Sequence, residues 1–169
     1  LVSVQHGGGY GIFRFVAPER HEALAADACL AWGWADGAAP WRNVPSPQLS
    51  SLVTNQRRSA GDELKTLLFV STAHPRYLFR FNSSPVGSQW EEYFAWQSRF
   101  LCAISDQLRV HVLFRPSQHD YGHAVRQRLS ERFADVGWDQ GAPFAQRLKQ
   151  VRLVVIDHSA TTFLEALAA

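Results

Sequence analysis

The stretch Val151-Arg152-Leu153-Val154-Val155-Ile156-Asp157-His158-Ser159-Ala160-Thr161-Thr162-Phe163-Leu164-Glu165-Ala166-Leu167 decides the fold. An apolar, β-branched run of strand length that breaks into a polar turn and then into helix formers reads as a buried strand feeding a helix. The strand spans Val151 to Ile156 and the helix Ala160 to Ala169. Such a strand delivers Asp157 and His158 to its carboxyl end, Ser159 stands where an N-cap belongs, and the free N–H groups of the first helical turn form an anion site. A phosphate suits that place. Thr161 and Thr162 add two hydroxyl donors, and Glu165, on the same helix face, offers a carboxylate to ribose hydroxyls. Phe163, Leu164 and Leu167 are then expected on the core face. The bland alternative is an ordinary capped helix whose Ser and Thr satisfy only their own backbone.

Working outward, the same grammar recurs. Leu1 to Gln5, the apolar part of Asp27 to Trp34, Leu64 to Ser71 and Val110 to Phe114 read as strands. Glu19 to Ala26 after Pro18, Gln89 to Leu108, Ala124 to Ala134 and Pro143 to Gln150 read as helices, the longest carrying Tyr93, Trp96, Phe100 and Ile104 on one face. The segment 40–61, rich in Pro, Ser, Asn and Gly, reads as a loop or linker. Strands alternating with helices imply βαβ units, a parallel sheet and right-handed crossovers: an α/β class with helices flanking the sheet. In such sheets ligands bind outside the carboxyl ends of the strands. That rule singles out His6 to Gly11, His74, Arg115 and Asp157 to Thr162.

The glycine loop His6-Gly7-Gly8-Gly9-Tyr10-Gly11 is neither a Walker loop nor a dinucleotide fingerprint, because no Lys-Ser or Lys-Thr follows and no helix opens at Ile12. Consecutive glycines permit close backbone approach, either to a ligand or to a neighbouring domain. His6 at the strand end is then a candidate general base or hydrogen-bond donor, or else a satisfied core histidine beside a tight turn. His74 before Pro75 and Arg115 before Pro116 either face the crevice, with Arg115 gripping phosphate, or lie on surface loops. His119 and His123 share a helical spacing, but no third ligand stands nearby, so no metal is assigned. The six Trp side chains read as core, with Trp34 and Trp41 beside loops.

Composition excludes other classes. With 169 residues, 46% hydrophobic and 19% charged, the chain has the material for a packed core. Seventeen Lys and Arg against 15 acidic residues, without a basic stripe, argue against nucleic acid as partner. The two cysteines, Cys29 and Cys102, form no paired pattern, which fits a reducing cytoplasm. No apolar run approaches the roughly 18 residues of a membrane span. The absence of Met, position 1 included, and an unstopped terminal helix read as a piece of a longer chain, truncated at both ends.

Val4-Gln5-His6-Gly7-Gly8-Gly9-Tyr10-Gly11, Glu22, Asp27, Trp32-Gly33-Trp34, Phe114-Arg115-Pro116, Asp120-Tyr121-Gly122 and Asp157-His158-Ser159-Ala160-Thr161-Thr162-Phe163-Leu164-Glu165 together resemble the bacterial transferases of surface-carbohydrate biosynthesis. The resemblance implies a Rossmann-like sheet within the two-domain GT-B glycosyltransferase architecture, the chain being a single domain fragment of its C-terminal half. It implies phosphate contacts from Ser159, Thr161 and Thr162 and ribose contact from Glu165; the strand-end reading adds Arg115 and His158 on the donor side and Gly7, Gly8, Gly9, Tyr10 and His74 on the loop and acceptor side. A more distant likeness to CDP-glycerol glycerophosphotransferases rests on His6-Gly7 and Asp157-His158-Ser159 and implies His6 as catalytic base. The expected partners are a nucleotide-sugar donor, as substrate and not as cofactor, and a glycan or lipid-linked acceptor. The expected place is the cytoplasm, at the inner face of the membrane through parts outside this chain. The rivals are a CDP-polyol phosphotransferase and a non-catalytic module that binds a sugar nucleotide or a protein.

Overall fold

The computed structural model describes residues 1–55, 65–75, 85 and 87–169. In chain order the elements are β1 (Val2–Val4), α1 (Ala17–Ala25), β2 (Ala28–Ala31), β3 (Trp41–Asn43), α2 (Pro47–Asn55), β4 (Leu67–Val70) and α3 (Trp90–Ala103). There follow α4 (Asp106–Arg109), β5 (Val112–Arg115), α5 (Val125–Arg132), β6 (Gly137–Trp138), α6 (Phe144–Leu148), β7 (Leu153–Ile156) and α7 (Thr161–Ala168). They divide into two compact units, Leu1–Arg57 with Ser159–Ala169, and Arg58–His158. Every strand pairing among the described residues is parallel, so the α/β class with flanking helices holds in both units.

Unit 1 carries a sheet ordered β1-β2-β3, with Ser3 opposite Cys29 and Cys29 opposite Trp41. Cys29 and Ala31 are its fully buried residues, and small side chains there let the layers close. Val2 and Val4 on the edge strand are exposed, while Ser3 turns inward, its hydroxyl donating to Glu22 of α1. The residues 40–61 are a correction to the loop reading as far as position 55, for they carry β3 and α2; positions 56–61 lie outside the described residues. The Pro and Ser that suggest a loop are a helix start: Ser46 caps with its hydroxyl on the Leu49 N–H, and Pro47 fills the first helical position.

Unit 2 carries the sheet β6-β5-β4-β7. Its central strand reads Leu67-Leu68-Phe69-Val70, apolar at every position because both faces are covered. Phe69 packs with Trp90, Phe94, Leu101, Phe114 and Phe133 on one face, and Leu68 and Val70 with Val151 and Phe144 on the other. The start of this strand expected at Leu64 lies outside the described residues. The long helix stops at Ala103, where Ile104 turns extended, and α4 follows separately. Its buried stripe is Trp90, Phe94, Gln97 and Leu101, so the expected face of Tyr93, Trp96, Phe100 and Ile104 is one step off. Trp96 is 58% exposed, with the Arg99 guanidinium stacked on its ring. β6, only two residues long and beginning with Gly, carries no periodic signal and goes unread in the sequence.

Strand order places the topological switch point of unit 2 between β4 and β7: the chain runs outward from β4 through β5 to β6, then returns to β4's other side. No helix among the described residues is long and apolar enough to cross a membrane.

Candidate functional site

In unit 1 the site is built around a buried amide. Gln5, 3% exposed at the end of β1, accepts on Oε1 both the Trp32 backbone N–H and the Trp34 indole N–H, each at 2.8 Å. Its Nε2 donates to the Gly7 carbonyl at 2.8 Å. One side chain thereby ties the glycine loop to the Trp-Gly-Trp corner. Gly11 turns left-handed at φ +69°, and a Cβ there would sit 2.4 Å from the Trp34 ring. Trp34 in turn tilts on Trp41 with centroids 5.0 Å apart. These tryptophans frame the loop, and Trp34 has its N–H already taken.

Gly8 is the point of closest approach. A Cβ on it would lie 2.4 Å from the Ala160 carbonyl carbon and 2.5 Å from the Thr161 nitrogen, and its N–H donates to Thr161 Oγ1 at 3.0 Å. The loop that begins at His6 is therefore seated on the first turn of α7. Ser159 is not the cap of that helix, a correction to the sequence reading: Ala160 occupies the N-cap in extended geometry, without a side-chain cap hydrogen bond. Thr161 and Thr162 are the first two helical residues, but the Thr161 hydroxyl is engaged by Gly8. Glu165, one turn on, accepts a hydrogen bond on Oε1 from Gln48 of α2. Of the three apolar residues assigned to the core face of α7, Phe163 is 38% and Leu167 70% exposed, a further correction.

His6 stands at the other end of the loop with a carboxylate behind it. The buried Tyr10 hydroxyl lies 2.8 Å from Glu22 Oε1 and 2.7 Å from His6 Nε2, which is itself 3.3 Å from the same carboxylate oxygen. Ser3 donates to the other oxygen of Glu22 at 2.8 Å. Burial pushes the Glu22 carboxyl up, but hydrogen bonds from Ser3 and Tyr10 and the neighbouring His6 outweigh it and hold the group below the usual carboxylate range. Burial, then the bond to ionised Glu22, push the Tyr10 phenol well above its ordinary value. Both groups keep fixed protonation states near neutrality.

Unit 2 has its own polar cluster, at the switch point. Asp157 Oδ2 accepts from Tyr93 and from Gln97 at 2.8 Å each, and the Gln97 amide also donates to Ser71 at 2.8 Å. His158 Nδ1 lies 3.1 Å from Asp157 Oδ1, so a half-buried carboxylate one residue away orients the imidazole. Burial and then the Asp157 charge raise the Tyr93 phenol, keeping it a donor.

Arg115, at the end of β5, is bound within its own unit: Nη1 donates to Asp139 at 2.6 Å and to the Ala142 carbonyl at 2.7 Å. Arg147 holds the other oxygen of Asp139 at 2.7 Å, and the Asp139 side chain is fully buried. Burial raises that carboxyl, and the hydrogen bonds and charges of Arg147 and Arg115 together bring it below the usual range. His74 accepts on its backbone carbonyl from Nε2 of His123, whose ring stacks 4.0 Å from Trp90. His123 is thus a buried packing residue. Among the described residues no group of three or more His, Cys, Asp or Glu is placed to hold a metal ion.

Gln5, Tyr93 and Gln97 are parts of these clusters that sequence reasoning misses, since a lone glutamine or tyrosine carries no spacing signal. A family model described as LIC12162 family transferase matches residues 1–169, and the chain belongs to that family. No curated protein and no solved structure matches the chain.

Proposed function

We propose that this member of the LIC12162 transferases is a glycosyltransferase of bacterial surface-polysaccharide biosynthesis, moving a sugar from a nucleotide-activated donor to a glycan or lipid-linked acceptor at the inner face of the membrane. The observation that carries the reading is the seating of Gly8 on Ala160 and Thr161, which joins the loop of His6 to a helix start without a side-chain cap. A base at one end of a glycine loop and a helix N-terminus at the other are what an acid–base displacement on a phosphorylated donor uses. In this reading His6 takes the proton of the acceptor hydroxyl, its oxygen forms the new bond to the anomeric carbon, and the bond to the nucleoside diphosphate breaks. The leaving phosphate carries the charge away, stabilised by the N–H groups of the first turn of α7 and by the Thr162 hydroxyl. Glu165 offers its carboxylate to the ribose, shared with Gln48.

The test uses the full-length protein and a panel of sugar nucleotides with CDP-glycerol beside them. His6→Ala should abolish turnover while donor binding, read by titration calorimetry, stays within about twofold of wild type. Thr162→Val should weaken donor binding about fivefold to tenfold, the worth of one hydrogen bond of about 1 kcal/mol or slightly more. Thr161→Val is the poorer probe, because it also strips Gly8 of its acceptor. Preference for CDP-glycerol would reassign the transferred group, and binding of every donor without turnover would refute the enzyme.

A further inference from the structure

Glu22 and Tyr10 point to a role of their own. We propose that they are positioning residues that fix the tautomer of His6, so that Nε2 carries the proton and Nδ1 is the basic nitrogen offered to the acceptor. The inference rests on the reading of His6 as base, and deepens it.

The argument is one of counting protons. Glu22 is an ionised carboxylate and only accepts; the Tyr10 hydroxyl has one proton and lies within hydrogen-bond reach of both Glu22 Oε1 and His6 Nε2. If Tyr10 gave its proton to His6, its oxygen would face the Glu22 oxygen at 2.8 Å with lone pair against negative charge. The arrangement without that conflict is a relay in one direction, from Nε2–H to the Tyr10 oxygen and from Tyr10 O–H to Glu22. The 3.3 Å between Nε2 and Glu22 Oε1 acts in the same sense. Nδ1, which makes no hydrogen bond among the described residues, keeps its lone pair. When Nδ1 takes a proton, the imidazolium formed sits beside a carboxylate that is already charged and already held by Ser3, so the site needs no rearrangement at that moment. This is the logic by which a carboxylate behind a histidine sets which nitrogen does chemistry.

Glu22→Gln separates orientation from fold. The amide is the same size; its oxygen still accepts from Ser3, but its NH2 now donates to Tyr10, which turns the phenol proton onto His6 Nε2 and moves the imidazole proton to Nδ1. The experiment is heteronuclear NMR of the full-length protein with 15N-labelled histidine, above the titration of the ring, where the two nitrogens of a neutral imidazole have distinct shifts for each tautomer. In wild type Nε2 should be the protonated nitrogen, and in Glu22→Gln it should be Nδ1. Tyr10→Phe should keep the wild-type tautomer, through the direct contact of Nε2 with Glu22. In kinetics Glu22→Gln should lower kcat at least tenfold and at most about 10⁴-fold, the cost of a mis-set tautomer in the Ser-His-Asp triad. KM for the donor should stay within twofold, and Glu22→Asp should recover part of the loss. An unchanged tautomer in Glu22→Gln would overturn the proposal and leave His6 as base untouched. A flipped tautomer in a protein whose His6→Ala variant still turns over would remove the base and, with it, any catalytic role for Glu22.

Discussion

Replacing Gly8 by Ala tests the seat of the loop on α7 most directly. The added carbon would stand 2.4, 2.5 and 2.6 Å from the Ala160 carbonyl carbon, the Thr161 nitrogen and the Ala160 oxygen, all backbone atoms that cannot swing aside as a side chain would. Overfilling a packed site costs about 1–3 kcal/mol. The displacement needed to relieve it also breaks the 3.0 Å bond from Gly8 N–H to Thr161, worth about 1 kcal/mol more. The sum, about 2–4 kcal/mol, is a factor of about 30 to 1,000 in the folding equilibrium. For a protein of this size it lowers Tm by about 4–16 °C. Gly7→Ala is the control: its Cβ would meet nothing nearer than Thr161 Oγ1 at 4.0 Å, an ordinary contact, and should leave stability within about 0.5 kcal/mol. Thermal melts of both variants, with hydrogen exchange followed on peptides covering β1 and α7, give the comparison. Equal melting of Gly7→Ala and Gly8→Ala would refute the seating of the loop and with it the reason for three successive glycines.

Two further outcomes follow from unit 2. Asp139→Ala leaves Arg115 and Arg147 without their shared buried partner, and breaking such a cluster costs about 3–5 kcal/mol in a denaturant titration at pH 7. Because the folded Asp139 carboxyl titrates below its unfolded value, its contribution is complete above the ordinary carboxylate range, near pH 4, and is lost as pH falls through the lower folded value; the Ala variant should show a flatter acid limb. Ala124 opens α5 at φ +52° between the Asp120 hydrogen bonds, a left-handed position unfavourable for an L residue. Ala124→Gly should therefore be neutral or stabilising, by up to about 1 kcal/mol in the same titration, since glycine is free of the Cβ penalty at positive φ and is itself a tolerated N-cap.

What the sequence discloses is set by how long a signal runs. β4, β5 and β7 are four-residue strands, apolar but for Arg115, and the periodicity finds each of them while opening it two or three residues too early. The helix at 90–103 is legible as a helix but its face is not, because Tyr93, Trp96 and Phe100 form an aromatic row as regular as the true stripe and only the sheet decides between them. The segment around Ser46 and Pro47 shows the opposite failure: residues that punctuate loops are also those that start helices. At the site, His6 and the glycines are visible because strand-end histidines and glycine runs are rare patterns. Their environment is not, since Tyr10 meets Glu22 only once α1 has formed, and Gln5 meets Trp32 and Trp34 only after β2. Arg115 was legible as a strand-end cation, whereas its partner Asp139 comes from the far side of a helix and a two-residue strand.

The amide of Gln5 has a consequence for anyone who would move this loop. It accepts two hydrogen bonds on oxygen and donates one from nitrogen, so a carboxylate in its place would push against the Gly7 carbonyl, and an ammonium would leave both tryptophan N–H groups unanswered. No other side chain of that reach does both jobs. A designer grafting the histidine and its glycines onto a foreign scaffold must transplant the Trp-Gly-Trp corner as well, for the two segments behave as a single part that the chain happens to write in two places.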